Sequence, residues 1–373
     1  MLIGIDARYG FRRERRGIGC YIYNLLQALE KMALDERFVL YVDSLAVPEL
    51  VRRFSRPPFV VRVLNGTNLF WWEQVLLPAA ARRDRVDVLH CTSNIAPLLK
   101  VCPTVLTIHD MIEFRRASFG DVRLRFRHRI SRLYRVSLLP RLARSADKIV
   151  TDSEFSKGDI AEVLNIQADK ISVTYLSLPE EMDQLNGSYP VLEGRYIFAL
   201  GALDRRKNIE VLLKAFSILK SEGLAGVKLV IAGVENLELF RKNNGLDEHP
   251  YKDDIVCRGF VSNAELSALY RHCACFVYPS LYEGFGLPPL EAMAAGAPVI
   301  ASQTTSVGEI VGEAGLLFDP NDPLELAAKI KSLIVDPGLA AELRTKGLKR
   351  LQLFSWEKCA RETLEVYREV HSG

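Results

Sequence analysis

Two glutamates eight positions apart, Glu283 and Glu291, carry the strongest chemical signal in the sequence. They lie in SLYEGFGLPPLEAMAAG (280–296), where glycines follow the first glutamate and two prolines shortly precede the second. Prolines suit the first turn of a helix, because their missing N–H costs nothing there, and LEAMAA favours a helix that ends at Gly296. We therefore expect Glu283 on a turn and Glu291 in the first turn of the following helix.

The start of this helix is suited to binding phosphate. A helix N-terminus presents unpaired N–H groups and partial positive charge, and Gly284 and Gly286 would let a ligand approach the backbone closely. The flanking carboxylates would accept hydrogen bonds from hydroxyl groups. A nucleoside diphosphate sugar has a matching layout of ribose, two phosphates and hexose. The ordinary alternative is that a glutamate early in a helix serves only as a partner of the helix dipole.

The elements that must position these residues follow from the apolar pattern. Short β-branched segments alternate with amphipathic helical segments, such as 18–32 and 154–164, which predicts parallel sheets covered on both faces. The predicted strands form two sets, 2–6, 38–42, 87–91, 104–109 and 148–151, then 196–200, 228–233, 254–259, 275–280 and 298–302. A polar segment rich in helix and strand breakers, 177–194, predicts a linker between them. We expect two doubly wound α/β domains that face a deep cleft, with ligands at the carboxyl ends of the strands.

The composition argues against several classes of protein. The chain has 373 residues, of which 49% are hydrophobic and 25% charged, and its formal net charge of +3 is too small to indicate a nucleic-acid partner. No apolar segment is long enough to span a membrane, and the first residues lack the apolar core of a secretory signal. Seven scattered cysteines without C-x-x-C spacing indicate reduced thiols rather than disulfides or a zinc site. We expect a cytoplasmic location.

In the segment 280–296, with Glu283 and Glu291, the chain resembles the retaining glycosyltransferases of sequence family 4, which have the two-domain GT-B fold. The resemblance extends along nearly the whole chain, including RRGIGCYIYNLLQAL (15–29), TVLTIHD (104–110), GRYIFALGALDRRKNIEVLLKAF (194–216) and GFVSNAELSALYRHCACFVYPS (259–280). We place an N-terminal acceptor-binding domain at 1–178 and a C-terminal nucleotide-sugar-binding domain at 179–355. We expect a helix at 356–373 to pack back on the N-terminal domain.

The resemblance implies roles for the matching residues in catalysis. Glu283 would hold hydroxyls of the transferred sugar, and Glu291 would hold the ribose hydroxyls. Arg206 and Lys207 would neutralise the diphosphate. His109 would contact the sugar near its 6-hydroxyl, although a lone histidine is more often a structural residue.

The resemblance also implies further donor-binding and acceptor-side residues. The donor set comprises the backbone amides of Phe285, Gly286 and Leu287, the glycine Gly201 after a strand, and Val261 beside the base. Gly17 and Gly19, in a mobile loop, also belong to this set. Trp72 and Asp110 are candidates for the acceptor side, with core packing as the alternative for Trp72. Many family members have an arginine directly after the glycine that Gly201 matches, where this chain has Ala202. More of the phosphate charge should therefore rest on Arg206 and Lys207.

The activity implied is the transfer of a hexose with retention, most directly mannose from GDP-mannose, to a glycan or polyprenyl-diphosphate-linked acceptor in bacterial surface polysaccharide synthesis. A UDP-sugar-dependent transferase, a nucleotide-sugar epimerase on the same fold and a non-catalytic nucleotide-sugar binder remain as alternatives. We expect no cofactor and no metal, because fixed cations and a helix N-terminus can stabilise the leaving diphosphate.

One segment indicates a further partner, a membrane surface. Residues 113–144 contain ten arginines and two acidic residues, with apolar residues interleaved, which is typical of a basic amphipathic surface helix. Such a helix is attracted to anionic lipid, or it is simply a solvated helix. We expect peripheral association with the inner face of the plasma membrane and no nucleic-acid partner.

Overall fold

The computed structural model describes residues 1–15, 17–115, 126–179 and 194–373, with side chains described from 132 onward in the helix that begins at 126. The chain divides into two compact units. Of the described residues, unit 1 contains those in Met1–Arg115, 126–177 and Ser355–Gly373, and unit 2 contains 178–179 and 194–354. Most of the predicted linker, 180–193, lies outside the described residues, as do residues 116–125 of the basic segment.

The described residues of unit 1 form a seven-stranded parallel sheet with the strand order β3-β2-β1-β4-β5-β6-β7. Its strands are β1 (Leu2–Asp6), β2 (Arg37–Asp43), β3 (Phe59–Leu64), β4 (Val88–Cys91), β5 (Thr104–Thr107), β6 (Lys148–Thr151) and β7 (Ile171–Val173). Its helices are α1 (Ile18–Lys31), α2 (Pro48–Phe54), α3 (Leu69–Trp71), α4 (Leu77–Asp84), α5 (Ile112–Arg115), α6 (Phe126–Ser145) and α7 (Glu154–Leu164). The central strands β1, β4 and β5 are buried along almost their whole length, as expected for a sheet covered on both faces.

The described residues of unit 2 form a six-stranded parallel sheet with the strand order β10-β9-β8-β11-β12-β13. Its strands are β8 (Arg195–Leu200), β9 (Val227–Ala232), β10 (Ile255–Cys257), β11 (Cys275–Tyr278), β12 (Val299–Ser302) and β13 (Gly315–Phe318). Its helices are α8 (Ile209–Ser221), α9 (Leu237–Asn243), α10 (Asn263–His272), α11 (Leu287–Ala294), α12 (Thr305–Val311), α13 (Pro323–Val335) and α14 (Pro337–Leu351). The expectation of two doubly wound parallel domains is confirmed.

The last helix, α15 (Trp356–Ser372), returns to unit 1. Tyr367 is fully buried, and its hydroxyl lies 2.6 Å from His90 Nδ1 on β4. Arg368 donates a hydrogen bond to Glu36 at 2.8 Å. These contacts fix the C-terminal helix to the unit that contains the N-terminus.

Each sheet has a topological switch point, where the chain leaves adjacent strands in opposite directions. In unit 1 the switch lies between β1 and β4, and in unit 2 it lies between β8 and β11. Open parallel sheets bind ligands at the carboxyl ends of the strands beside such points. In the part of the chain that the structure describes, no helix is both long and apolar enough to cross a membrane.

Candidate active site

The switch point of unit 2 brings together the residues predicted to bind the donor. Arg206 and Lys207 follow β8, and Glu283 follows β11. The Glu283 carboxylate lies at the centre of a cluster and accepts hydrogen bonds from four other side chains. Its Oε1 accepts hydrogen bonds from Lys207 Nζ at 2.7 Å, Tyr278 Oη at 2.7 Å and Ser280 Oγ at 2.6 Å. Its Oε2 accepts from Arg206 Nη1 at 2.6 Å. The cations predicted for the diphosphate and the glutamate predicted for the sugar therefore form one cluster.

The electrostatics of this cluster keep Glu283 ionised. Burial alone would raise the pKa of its carboxyl, but Lys207 and Arg206 outweigh burial and lower that pKa to about 2. Arg206 is itself held as a cation, since Glu283 and Asp204 raise its pKa against the effect of burial. Arg206 Nε is buried and has no hydrogen-bond partner among the described residues. This nitrogen faces Asp204, whose Oδ2 lies 3.6 Å away.

A short helical turn presents the two cations. Arg205–Lys207 form a 3-10 turn whose N-cap is Asp204, which accepts a hydrogen bond from the Arg206 backbone N–H at 3.0 Å. Asn208 ends the turn with a left-handed φ of 51°, and its side-chain amide donates to the carbonyls of Pro279 and Pro320. The asparagine of the R-K-N motif thereby ties the turn after β8 to the turn after β11.

The helix behind Glu283 begins as the two prolines predict. Pro288 and Pro289 lie in the first turn of α11, and the N-cap is Gly286, whose φ of 106° strongly favours glycine. The prediction for Glu291 was wrong by one turn. Because the helix begins at Leu287, Glu291 is its fifth residue and lies in the second turn.

Glu291 is oriented by a buried tyrosine. Its Oε2 accepts a hydrogen bond from Tyr270 Oη at 3.0 Å, and Tyr270 is fully buried. Burial raises the pKa of Glu291, although the Tyr270 hydroxyl and Lys207 oppose this effect. The carboxylate of Glu291 is therefore held by one neutral donor, whereas that of Glu283 is held by two cations and two hydroxyls.

Three further donor-side candidates, Gly201, Val261 and Phe285, lie along the same edge of the unit 2 sheet, whereas Gly17 and Gly19 lie in unit 1. A Cβ at Gly201 would come within 2.6 Å of Ile231 and 2.8 Å of Val234, so the packing at the end of β8 leaves no room for a side chain. Val261 is half-buried in the loop after β10, next to Phe260, which is 58% exposed. Phe285 is buried, and its ring packs edge-on against Phe354. Only its backbone is suited to the predicted contact.

His109 lies in unit 1, two residues beyond the end of β5, and its ring is bound on both sides. Nδ1 is 2.7 Å from Asp152 Oδ2, and Nε2 is 3.1 Å from the Thr92 carbonyl. Both partners are acceptors, so the arrangement suits the doubly protonated imidazolium. Burial would lower the pKa of His109, but Asp152 and the Thr92 carbonyl raise it. Its predicted contact with the sugar 6-hydroxyl stays a prediction, and that contact would require one of these hydrogen bonds to change.

A pocket of about 690 Å³ lies in unit 1 at the switch point between β1 and β4. Its lining includes three sequence-predicted residues, Gly17, Gly19 and Asp110. Gly17 is the N-cap of α1 with a left-handed φ of 47°, and a Cβ at Gly19 would come within 2.8 Å of the Tyr9 carbonyl. Ser93 also lines this pocket, and its buried Oγ has no hydrogen-bond partner among the described residues. The pocket combines hydroxyl, carboxylate and arginine groups, which suits a polyhydroxylated ligand.

Trp72 does not line this pocket, and its assignment to the acceptor side was wrong. The side chain is fully buried in the core of unit 1, and its indole Nε1 donates to Asp6 Oδ2 at 3.4 Å. Beneath it lies a charge cluster that sequence reasoning missed. Arg8 is 3.1 Å from Glu73 and 3.6 Å from Asp6, and all three side chains are buried. Burial raises the pKa of Glu73 to about 7, although Arg8 opposes it.

Two arginines in the described part of the basic segment form ion pairs within the protein, so they are less available to a membrane surface than the composition indicates. Arg132 and Arg135 both face Glu113, at 3.4 Å and 3.6 Å. The solvent-exposed line of α6 instead runs through Leu133, Ser137, Arg141 and Arg144.

Four residues of the candidate site were not predicted, and three of them share one signal. Tyr278 and Ser280 hold Glu283, Tyr270 holds Glu291, and Asp152 holds His109. Tyr278, Ser280 and Asp152 lie at or just beyond the carboxyl end of a buried strand. Polar residues at these positions could have been selected from the sequence by that rule.

Comparison with known proteins identifies the family of this chain. The family model described as "Glycosyltransferase Family 4" matches residues 15–178, and the model described as "Glycosyl transferases group 1" matches residues 187–350. The O-antigen chain mannosyltransferase B of Escherichia coli is 32% identical over 298 residues, which cover 78% of this chain and 76% of that protein. The chain belongs to glycosyltransferase family 4. The predicted resemblance is confirmed, and the alternatives of an epimerase and a non-catalytic binder are set aside.

Two further similarities agree with this assignment. The O-antigen chain mannosyltransferase RfbU of Salmonella typhimurium is 29% identical, and the match covers 86% of this chain and 89% of that one. Among solved structures, the sucrose-phosphate synthase of Thermosynechococcus elongatus is similar with a TM-score of 0.70, at 20% identity and over 100% of this chain and 99% of that one. The structural likeness supports the GT-B fold class of this family-4 glycosyltransferase.

Proposed function

We propose that this family-4 glycosyltransferase moves a mannosyl group from GDP-mannose, with retention, to a glycan or polyprenyl-diphosphate-linked acceptor in bacterial surface polysaccharide synthesis. The observation that carries the proposal is the contact of Arg206, Lys207 and Glu283 beside the N-terminus of α11. Cations, a helix N-terminus and an ionised carboxylate meet at one switch point. This set matches the phosphate and the sugar of one nucleotide-sugar donor.

In this proposal each group acts at one part of the donor. The Glu291 carboxylate, oriented by Tyr270, accepts hydrogen bonds from the ribose hydroxyls. Arg206 and Lys207 stabilise the charge that develops on the leaving diphosphate, together with the N–H groups at the start of α11. Glu283 holds hydroxyls of the hexose as its ring becomes oxocarbenium-like. The leaving phosphate and the incoming hydroxyl share one face of the sugar, so the configuration is retained.

The acceptor is proposed to occupy the pocket of unit 1 lined by Asp110, Ser93 and Tyr9. Its volume of about 690 Å³ lies within the roughly 300–1,000 Å³ typical of small-molecule sites. Hydroxyl and carboxylate groups in the lining suit the hydroxyls of a glycan. We further propose that the enzyme works in the cytoplasm, at the inner face of the plasma membrane, where basic residues of α6 such as Arg141 and Arg144 attract anionic lipid.

Mannose is preferred over other hexoses because the two relatives described above are named as mannosyltransferases. The test is turnover of the purified enzyme with GDP-mannose, UDP-glucose and UDP-N-acetylglucosamine in separate reactions with mannosylated oligosaccharide acceptors. The proposal expects nucleoside diphosphate release and an α-linked product, read by NMR, with GDP-mannose alone. Turnover only with a UDP-sugar would show that GDP-mannose is not the donor and would favour the UDP-dependent alternative. A β-linked product would overturn retention.

A further inference from the structure

A group of large apolar side chains is exposed on unit 1, and its members come from three separate segments. Five residues form this apolar cluster: Phe70, Trp71, Leu98, Leu99 and Leu133. Trp71 is 51% exposed, Leu99 is 68% exposed and Leu133 is 67% exposed. Single exposed apolar residues need no explanation, but contiguous groups of them mark interaction surfaces.

The side chain of Gln74 joins the three segments. Its amide nitrogen donates to the Ala96 carbonyl at 3.2 Å and lies 2.9 Å from the Tyr134 hydroxyl. Its amide oxygen accepts from the Leu98 N–H at 2.8 Å. The Phe70 and Tyr134 rings contact each other edge-on, with centroids 5.9 Å apart. One half-buried side chain, in the turn directly after α3, thus holds this turn, the loop after β4 and the middle of α6 together, and the apolar cluster surrounds this support.

Basic residues border the apolar cluster on two sides. Lys100 directly follows Leu99 and is exposed, and its Nζ forms an ion pair with Asp147 at 2.7 Å. On α6, the exposed line that starts at Leu133 continues to Arg141 and Arg144. At 1.5 Å per residue, Arg141 lies roughly 12 Å along the helix axis from Leu133. Tryptophan, phenylalanine and leucine beside lysine and arginine are the combination that inserts at a membrane interface.

We propose that the apolar cluster inserts into an anionic lipid surface, with Trp71 and Leu99 as its main contacts. This inference rests on the proposed location at a membrane and adds the surface that makes the contact. Salt screens the electrostatic attraction between the basic residues and the lipid, so binding by these residues alone is lost at high salt. Insertion of apolar side chains persists in salt, because its driving force is the removal of apolar surface from water.

The tryptophans provide a built-in reporter for this insertion. Trp72 is fully buried and Trp356 is 7% exposed, whereas Trp71 is half-exposed. Addition of vesicles containing phosphatidylglycerol should shift the fluorescence emission of Trp71 to shorter wavelength. Brominated lipids should quench that emission, and the shift should disappear in Trp71→Phe. An unchanged emission spectrum at saturating vesicle concentration would overturn the insertion of Trp71.

Co-sedimentation with vesicles tests the surface as a whole. The double variant Trp71→Ser with Leu99→Ser should lower the partition coefficient onto phosphatidylglycerol vesicles by about tenfold or more. The matched control is Leu324→Ser with Val335→Ser on unit 2, since these residues are 67% and 66% exposed. The control should bind vesicles like the unchanged protein. Equal binding by the test variant and the unchanged protein, or equal loss in the control, would overturn the proposal.

The same variants separate this inference from the proposed activity. Turnover with a water-soluble oligosaccharide acceptor should be unchanged in the double variant, since neither residue contacts the candidate site. If the unchanged enzyme turns over GDP-mannose but does not bind vesicles, the proposed mannosyl transfer stands and the lipid surface is refuted. Vesicle binding without turnover on any donor does the reverse.

Discussion

Substitution of Glu283 by glutamine separates the two tasks that meet in the unit 2 cluster. The carboxylate accepts four hydrogen bonds of 2.6–2.7 Å, two of them from the cations Arg206 and Lys207. Glutamine keeps the length and shape of the side chain but removes its charge. The cations then lose their shared partner while the rest of the site stays in place.

The magnitude follows from the pKa of Glu283, which is about 2 against an ordinary 4.5. That difference corresponds to about 3 kcal/mol in favour of the charged carboxyl. Because the folded-state pKa is lowered, this contribution to stability is present above about pH 4.5 and is lost as the pH falls towards 2. Glu283→Gln should therefore melt at a lower temperature than the unchanged enzyme at pH 7, and the difference should shrink as the pH falls through this window.

Calorimetry with free GDP and steady-state kinetics with the full donor measure the functional effects. Without the carboxylate, Arg206 and Lys207 attract phosphate more strongly, so GDP should bind as well as before or up to about tenfold more tightly. The kcat should fall by about a hundredfold or more, because the contact with the sugar in the transition state is lost. Glu210→Gln is the control, since Glu210 is exposed and pairs only with Lys214 among the described residues. If folded Glu283→Gln lost GDP binding more than tenfold, Glu283 would hold the nucleotide and the division of roles would be refuted.

Four further outcomes follow from the same geometry. Lys207→Ala should lower kcat/KM about a hundredfold, and a fall of less than about threefold in the folded variant would contradict its phosphate role. Glu291→Gln should raise the donor KM with a smaller change in kcat, because the ribose contact is the same in ground and transition states; the opposite split would contradict this contact. Activity should survive EDTA, and a complete loss that magnesium or manganese restores would show a metal requirement. Arg141→Gln with Arg144→Gln should weaken vesicle binding at low salt but not at high salt, and no change at low salt would remove these arginines from the lipid surface.

The central strands of both sheets could be predicted from the sequence, whereas edge strands were harder to find. The strands that were missed, β3, β7 and β13, all lie at a sheet edge. An edge strand is half-covered, so its apolar pattern is weaker: β3 exposes Val60 and Val63. β7 has only three residues, and β13 begins with a glycine. The strand β10 at the fourth edge was found although only Ile255 in it is buried, because its apolar segment is bounded by polar residues.

The candidate site was predictable in its residues but not in its internal contacts. The turn and helix of the 280–296 segment follow from local glycine and proline preferences, so the placement of Glu283 needed no long-range information. The ion pair of Glu283 with Lys207 joins residues 76 positions apart, and that of His109 with Asp152 joins residues 43 apart. Such pairs depend on which strands become neighbours. The strand order was not derivable from the apolar pattern alone.

Trp72 illustrates a limit of composition as a guide. A tryptophan beside another tryptophan can pack in a core or contact a sugar, and the sequence gives no preference. Its burial follows from the π-helical turn Trp72–Leu76, which directs it inward towards Asp6 and leaves Trp71 exposed. A single residue of helical phase therefore decides which of the two reaches solvent.

A crystal structure of the enzyme with GDP would test the central claim most directly. We expect the ribose hydroxyls to lie within hydrogen-bond distance of the Glu291 carboxylate, and phosphate oxygens to contact Lys207 Nζ, Arg206 and the N–H groups at the start of α11. Glu283 should lie beyond the distal phosphate, where the sugar would be. A nucleotide bound away from the carboxyl ends of β8 and β11, or bound with its ribose on Glu283, would refute this placement of the donor.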